Sequence, residues 1–351
     1  MAKKWWIGLG GILLMVGLAI GLWPTAERAK TWRLAQQQIN DRHFDDALTT
    51  LDQQLTVWPS HAEGQLAIAQ TARRLGLIPR AEKHLRQYEQ LGGDPEILAH
   101  ERILLAVQRG EMGRFDGGLA FVEAHPDHRE SQLILEAMIQ GYIRQREPIK
   151  AIAIVDRWSQ RAVLPADRIQ ADIWRGECYR MVGDGERAVE AFRRALSAEP
   201  ANAAAQLRLA EAIVRSQPQE AMALLNAMPA ESQAQPITRL IRAQCERILG
   251  ETDAARDRLD QLHQVRPDDV VVLLERGLVA LDLNDLAGAD RWLRQAEERA
   301  PDLYELIAAR LRWARQTQRT VEVAALEKRL RDLESETKQR IELFQSTIEK
   351  R

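Results

Sequence analysis

The side chains best suited to metal or redox chemistry in this sequence are two histidines, in His125-Pro-Asp-His128, and two cysteines, Cys178 and Cys245. A structural or catalytic metal takes three or four protein ligands. No further His, Cys or Asp/Glu cluster accompanies the histidine pair, so that segment reads as a solvated turn. None of the patterns HExxH, GxGxxG, Walker A, GxSxG or CxxC occurs, which removes the common zinc, dinucleotide, phosphate-loop, serine-hydrolase and thiol-redox chemistries. Acidic residues are abundant but interleave with arginines at short range, and no catalytic carboxylate pair stands out from them. The chain therefore reads as a non-enzyme without metal or other cofactor. The net charge is −2 and aromatic residues make up 5% of the chain. Without a sustained basic stripe or a base-stacking platform, nucleic acid is not an expected partner.

What the sequence does carry is a period. Gly176, Ala210, Ala243 and Gly277 follow one another at steps of 34, 33 and 34, and Ala188, Ala221, Ala255 and Ala289 follow about one helix-length downstream at steps of 33, 34 and 34. Pro200, Pro267 and Pro301 punctuate the same frame. Between Gly176 and Pro200 lie two helical stretches separated by a turn at Gly183. On the second, Ala188 and Ala195 share a face with Phe192 between them. Small residues there let a neighbouring helix approach and large ones fill the remaining space. The arrangement returns with Gly250, Ala255, Leu259, Leu262 and Pro267, then with Gly277, Ala289, Leu293, Ala296 and Pro301.

This unit resembles the tetratricopeptide repeat, a helix–turn–helix of 34 residues. The resemblance implies an all-α fold, a superhelical solenoid in which each hairpin buries its apolar face against the next. It covers residues 28–303 as about eight repeats, with 96–167 degenerate. There Gly113, Gly117 and Gly118 crowd the start of a second helix, at about 1 kcal/mol each. Gly92-Gly93-Asp94-Pro95 reads as an inter-repeat turn within one continuous solenoid. Cys178 and Cys245 take the same place in the first helices of repeats two apart, where a bridge is out of reach and buried small-apolar packing is expected.

The two ends differ from the middle. Residues 5–23, from Trp5 to Trp23, contain no charged residue. At 1.5 Å per residue they nearly cross a bilayer core. With Lys3 and Lys4 before them, they read as a transmembrane anchor leaving residues 1–4 in the cytoplasm. A cleaved signal peptide is the rival reading. Residues 304–351 read as a closing helix followed by a long charged helix from Val321. Its apolar positions Leu326, Leu330, Leu333, Ile341, Phe344 and Ile348, with Thr337 in the gap, make one stripe. That stripe suits a terminal cap or a short coiled coil forming a homodimer.

Tetratricopeptide proteins bind peptides or helices along the inner surface of the stack. By register, the resemblance implies Arg73, Arg74, Glu177, Arg180, Glu211, Arg215, Gln244 and Arg247 as partner-binding positions. The subset that clamps a C-terminal carboxylate uses asparagine where this chain has Glu177, Glu211, Gln244 and Leu278, so that clamp is not expected, and a groove of mixed charge is. The whole reads as a membrane-anchored scaffold on the periplasmic side of a bacterial inner membrane, holding membrane-associated or periplasmic proteins during assembly of an envelope complex. Two alternatives stay open: a constitutive subunit of a large membrane complex, and an accessory regulator of a membrane enzyme.

Overall fold

The computed structural model describes residues 28–115, 117–126, 128–160 and 164–349. Among them every regular element is helical. After α1 (28–40) come α2 (Phe44–Val57), α3 (Ala62–Arg74), α4 (Ile78–Gln90), α5 (Pro95–Gln108), α6 (Gly118–Ala124), α7 (Arg129–Arg144) and α8 (Pro148–Gln160). Then follow α9 (Pro165–Val182), α10 (Gly185–Ala198), α11 (Ala203–Ile213), α12 (Pro218–Ala227), α13 (Ala230–Ala234), α14 (Pro236–Ile248) and α15 (Thr252–Val265). The last four are α16 (Val270–Asp282), α17 (Leu286–Glu297), α18 (Tyr304–Gln316) and α19 (Thr320–Glu349). The fold is an all-α solenoid of helix pairs, and it divides into two compact units. Among the described residues, the first comprises those within 28–145 and 157–167, and the second those within 146–156 and 168–349.

The turn inside each pair is set by one residue in the left-handed region. Gly76, Gly110, Gly183 and Gly250 take that place, and so do Arg42, Arg146, Asn284 and Gln318. Such a residue closes the first helix by returning its own and the next N–H to the helix's last carbonyls. Gly76 N donates to Arg73 O and Leu77 N to Ala72 O, and Gly250 and Glu251 repeat this on Arg247 and Glu246. Between α11 and α12, Pro218 starts the second helix directly. Prolines also open α5, α14 and α4 within their first turns, where a missing N–H costs nothing.

The first unit buries Ala35 of α1, Leu48 and Leu51 of α2, Ile68 and Ala72 of α3, and Leu85 and Tyr88 of α4 in one core. After α5, a 3-10 turn (Met112–Phe115) and the seven-residue α6 stand where other pairs have a full second helix. In the second unit, Ala188, Ala221, Ala255 and Ala289 are all buried. Phe192 of α10 packs with Leu209 and Ile213 of α11, burial worth about 2–3 kcal/mol for such a ring. Room for it comes from Gly176, where a Cβ would meet the Phe192 ring at 2.3 Å, and Gly277 makes the same room for Leu293. Cys178 and Cys245 are free and buried. Burial pushes their thiols up, to about 12 and about 11.

The membrane expectations are corrected. Residues 5–23, for which a spanning anchor was expected, lie outside the described residues, and no described helix is long and apolar enough to cross a membrane. The physical reason is periodic charge. Even α19, at 30 residues, carries Glu, Lys or Arg on nearly every turn, and such side chains cost about 3 kcal/mol each at a bilayer centre. A transmembrane helix before the solenoid, a lipid-bilayer partner, and a single-pass inner-membrane localisation with periplasmic repeats are therefore not carried forward.

Candidate partner-binding groove

In the first unit, the first helices of successive pairs, α1, α3, α5 and α7, line a groove of about 790 Å³. Its walls mix apolar side chains (Trp32, Ile39, Leu66) with Arg73, Arg74, His100 and the acids Glu63, Glu96 and Glu130. Two of the residues placed by register, Arg73 and Arg74, lie here. Arg73 is 1% exposed. Its Nε donates to Glu101 Oε2 at 3.1 Å, while Gln70 Nε2 donates to Glu101 Oε1 at 2.8 Å. Both terminal nitrogens, Nη1 and Nη2, are buried with no hydrogen-bond partner, and so is His100 Nε2. Buried polar groups left in this way are costly, at about 1–3 kcal/mol each.

The second unit holds the same motif in a different state. Gln244 Nε2 donates to Glu275 Oε1 and Arg247 Nε to Glu275 Oε2, both at 2.9 Å. The spacings match those of Gln70, Arg73 and Glu101. Here, however, Arg247 Nη1 also reaches Asp282 Oδ2 at 3.4 Å. Asp282 lies 35 residues after Arg247, and the residue 35 after Arg73 is Gln108. Gln108 gives its amide N–H groups to the Arg73 carbonyl and to Gln140, and no carboxylate stands at that place.

The remaining positions placed by register are each held in an ion pair. Arg180 Nη2 contacts Glu177 Oε2 at 2.7 Å and Arg208 Nη1 contacts Glu211 Oε2 at 3.1 Å. Arg215 Nη1 reaches Glu305 Oε1 of α18 at 3.4 Å. Burial alone would lower the Arg180 guanidinium, but Glu177 and Glu211 outweigh it and hold it above its ordinary value. The first helices of the second unit thus present a ladder of satisfied ion pairs.

Register alone missed the acceptors Glu101 and Glu275. Their signal was present: Gln-x-x-Arg at 70–73 and 244–247, each with a glutamate 28 residues after the arginine. It also missed a buried cluster behind Arg74. Glu136 is 1% exposed, with Arg42 Nη2 at 2.9 Å on one oxygen and Arg74 Nε at 3.5 Å on the other. Burial would raise the Glu136 carboxyl, but Arg42, Arg74 and Arg73 together hold it below the usual range. Asp167 takes the other end of Arg42, at 3.0 Å. The histidine pair resolves as a cap: His128 Nδ1 accepts from Glu130 N at the start of α7, and both rings pack on Phe121. Among the described residues no group of three or more His, Cys, Asp or Glu is placed to hold a metal ion.

Stacked helix pairs with left-handed turns, small residues at fixed places and a groove along the first helices define a helical-repeat interaction module. Tetratricopeptide-repeat models match residues 33–95, 180–245 and 248–304, together more than half of the sequence, and the chain belongs to that family. No curated protein matches it significantly. Among solved structures, a tetratricopeptide repeat protein from Parabacteroides merdae superposes with a TM-score of 0.50 at 14% identity, over 70% of this chain and 99% of that one. MamA from Desulfovibrio magneticus aligns over 48% of this chain and 93% of its own, at 17% identity and a TM-score of 0.38. Yeast Tom70 aligns over 92% and 89%, at 12% identity and a TM-score of 0.38. At these identities the likeness concerns the fold alone. The module is a non-catalytic scaffold for protein–protein contacts, and the chain is not an enzyme.

Proposed function

We propose that this scaffold recruits its partner through the groove of the first unit, by holding an extended or helical segment that carries both signs of charge. The observation that supports this reading most is the difference between Arg73 and Arg247. In the second unit an internal carboxylate, Asp282, completes the arginine. In the first, Gln108 stands at that place, and Arg73, which lines the groove, keeps both terminal nitrogens buried without an acceptor. A carboxylate on the partner satisfies them, with the gain of a charge-assisted hydrogen bond at a site already desolvated. Glu63, Glu96 and Glu130 on the groove wall select basic residues around that carboxylate. The same reading keeps Arg74 in the groove. It gives Glu177, Arg180, Glu211, Arg215, Gln244 and Arg247 a weaker part, since a partner meeting them has first to break existing pairs.

The test is selection of a random 15-residue peptide library on the full chain, followed by affinity measurement on variants. Selected peptides should carry an acid close to Lys or Arg. Gln108→Asp, which supplies the carboxylate internally, should weaken them at least tenfold, as should Arg73→Gln. Peptides indifferent to both substitutions would sink this reading.

A further inference from the structure

The far half of α19 does not end as a free helix. Its near half packs on α18, with Val323 and Leu326 against the Trp313 cluster and Tyr304 Oη donating to Glu334. Beyond Glu336 the helix reaches the corner between α9 and α10. Phe344 is 1% exposed there, edge-on to Tyr179 with ring centroids 5.8 Å apart and planes at 79°. The Thr337 methyl and Ile341 cross Gly183, where an added Cβ would lie 2.8 Å from Thr337 Cγ2. Gln345 Nε2 donates to Asp184 Oδ2 at 3.2 Å. Arg187, beside Asp184 at 3.7 Å, lies over the Tyr179 ring.

We infer that the α9–α10 corner is a binding site for an amphipathic helix with a threonine-sized residue at relative position 0 and apolar residues at 4 and 7, the last aromatic, and that residues 337–345 occupy it in cis until a partner helix displaces them. Three features carry this. Thr337, Ile341, Phe344 and Gln345 make this contact at the far end of α19, while the near half packs separately on α18, so opening the one should leave the other in place. Its elements are those of helix-in-groove recognition: one aromatic anchor, a glycine floor that lets the helix come close, and one polar bond fixing register. The partner it fits is defined by the segment it now holds. This site is distinct from the groove of the first unit and stands or falls separately.

A tethered occupant competes at an effective concentration of the order of millimolar. A free helix of about 10 µM affinity is then weakened on the order of 100-fold. The probe is a labelled peptide of residues 334–351, held helical by a side-chain lactam on its exposed face and titrated by fluorescence anisotropy. The full chain should bind it weakly. The full chain carrying Phe344→Asp should bind it at least tenfold more tightly, and a peptide with the same substitution should bind neither. A chain ending at Glu336 provides the same readout if Phe344→Asp lowers helix content by circular dichroism. Equal affinity for wild type and opened variants, or no binding to either, would overturn the proposal. So would a wild-type dimer by light scattering that Phe344→Asp dissolves, since the tail would then act between two copies.

Discussion

Replacing Glu136 by glutamine tests whether the buried charges behind the groove are a single electrostatic unit. The side chain keeps its volume and loses its charge, leaving Arg42 and Arg74, both against the Phe44 ring at 5.1 and 5.3 Å, without the carboxylate between them. Removing one partner of a buried pair costs about 3–5 kcal/mol. Arg42 still keeps Asp167 at 3.0 Å, so the lower end applies, about 3 kcal/mol. Stability in repeat stacks is local, so the measurement is hydrogen exchange by segment. Amides of α3 and α7 should lose protection by about 100-fold, while α16 and α17 stay unchanged. The pH dependence adds a second reading. The Glu136 carboxyl is held below its ordinary 4.5, so its stabilisation is present above that pH and is lost as pH falls through the lower, folded value. Wild type should lose α7 protection in acid, and E136Q should lack that component. An exposed pair such as Arg80–Asp52 is the control, worth at most about 1 kcal/mol. Exchange in E136Q within threefold of wild type across α3 and α7 would refute the argument.

Three further outcomes follow from single contacts. Gly141→Ala should lower the first unit's stability by about 1–3 kcal/mol, because the new Cβ would lie 2.3 Å from the Val107 carbonyl oxygen. That atom is backbone and cannot step aside without parting α5 from α7, whereas Gly113→Ala meets nothing within 4 Å and should be tolerated in the same thermal melt. His84 is held down to about 4 by burial, with Lys83 and Arg80 adding to it, and its Nδ1 pairs with Gln65 Oε1 at 2.7 Å. The neutral ring is the folded form, so stability falls as pH drops from about 6.5 to about 4, by about 1–2 kcal/mol after solvent screening. His84→Gln should flatten that part of the pH profile in urea denaturation, and an unchanged slope would speak against it. Cys178 and Cys245, with thiols pushed up to about 12 and about 11, should resist Ellman's reagent at pH 8 until the chain is unfolded; fast labelling of the native chain would contradict their burial.

The helix pairs were legible because they depend on local rules: small residues at a fixed period, prolines that stop a pair and turns closed by glycine. Arg42, Arg146, Asn284 and Gln318 take the same left-handed turns, so the turn was there to be read from period alone where glycine was missing. The groove was legible only as a register. Whether a residue on it is free or paired depends on its neighbour one helix pair away, and sometimes much further. Glu136 meets Arg42 across 94 residues and Asp167 meets it across 125, distances at which no repeat period applies. The tail reads in the sequence as one apolar stripe, but its last turns meet Tyr179 and Asp184, about 160 residues upstream. Nothing in the helix itself encodes that address.

The two copies of the Gln-x-x-Arg motif argue that the repeats have divided their labour. A solenoid needs its first helices held together, and a charged residue on the inner face can serve that need or serve a partner, but one hydrogen-bonding group does not fully do both. Arg247 is spent on cohesion: Glu275 and Asp282 take its Nε and Nη1, and Asp282 passes the pairing on to Arg312 at 2.7 Å. Arg73 is held by the same first contact, to Glu101, which fixes the guanidinium plane, yet its outer nitrogens meet no carboxylate. Exchanging the two residues 35 positions downstream should exchange the roles. Asp282→Gln would free Arg247, and Gln108→Asp would close Arg73. If the two arginines divide cohesion and recognition between them, the doubly substituted chain should lose the peptides selected by the first groove and gain affinity for acidic segments in the second unit. If cohesion alone governs both motifs, the exchange should change stability and leave peptide binding where it was.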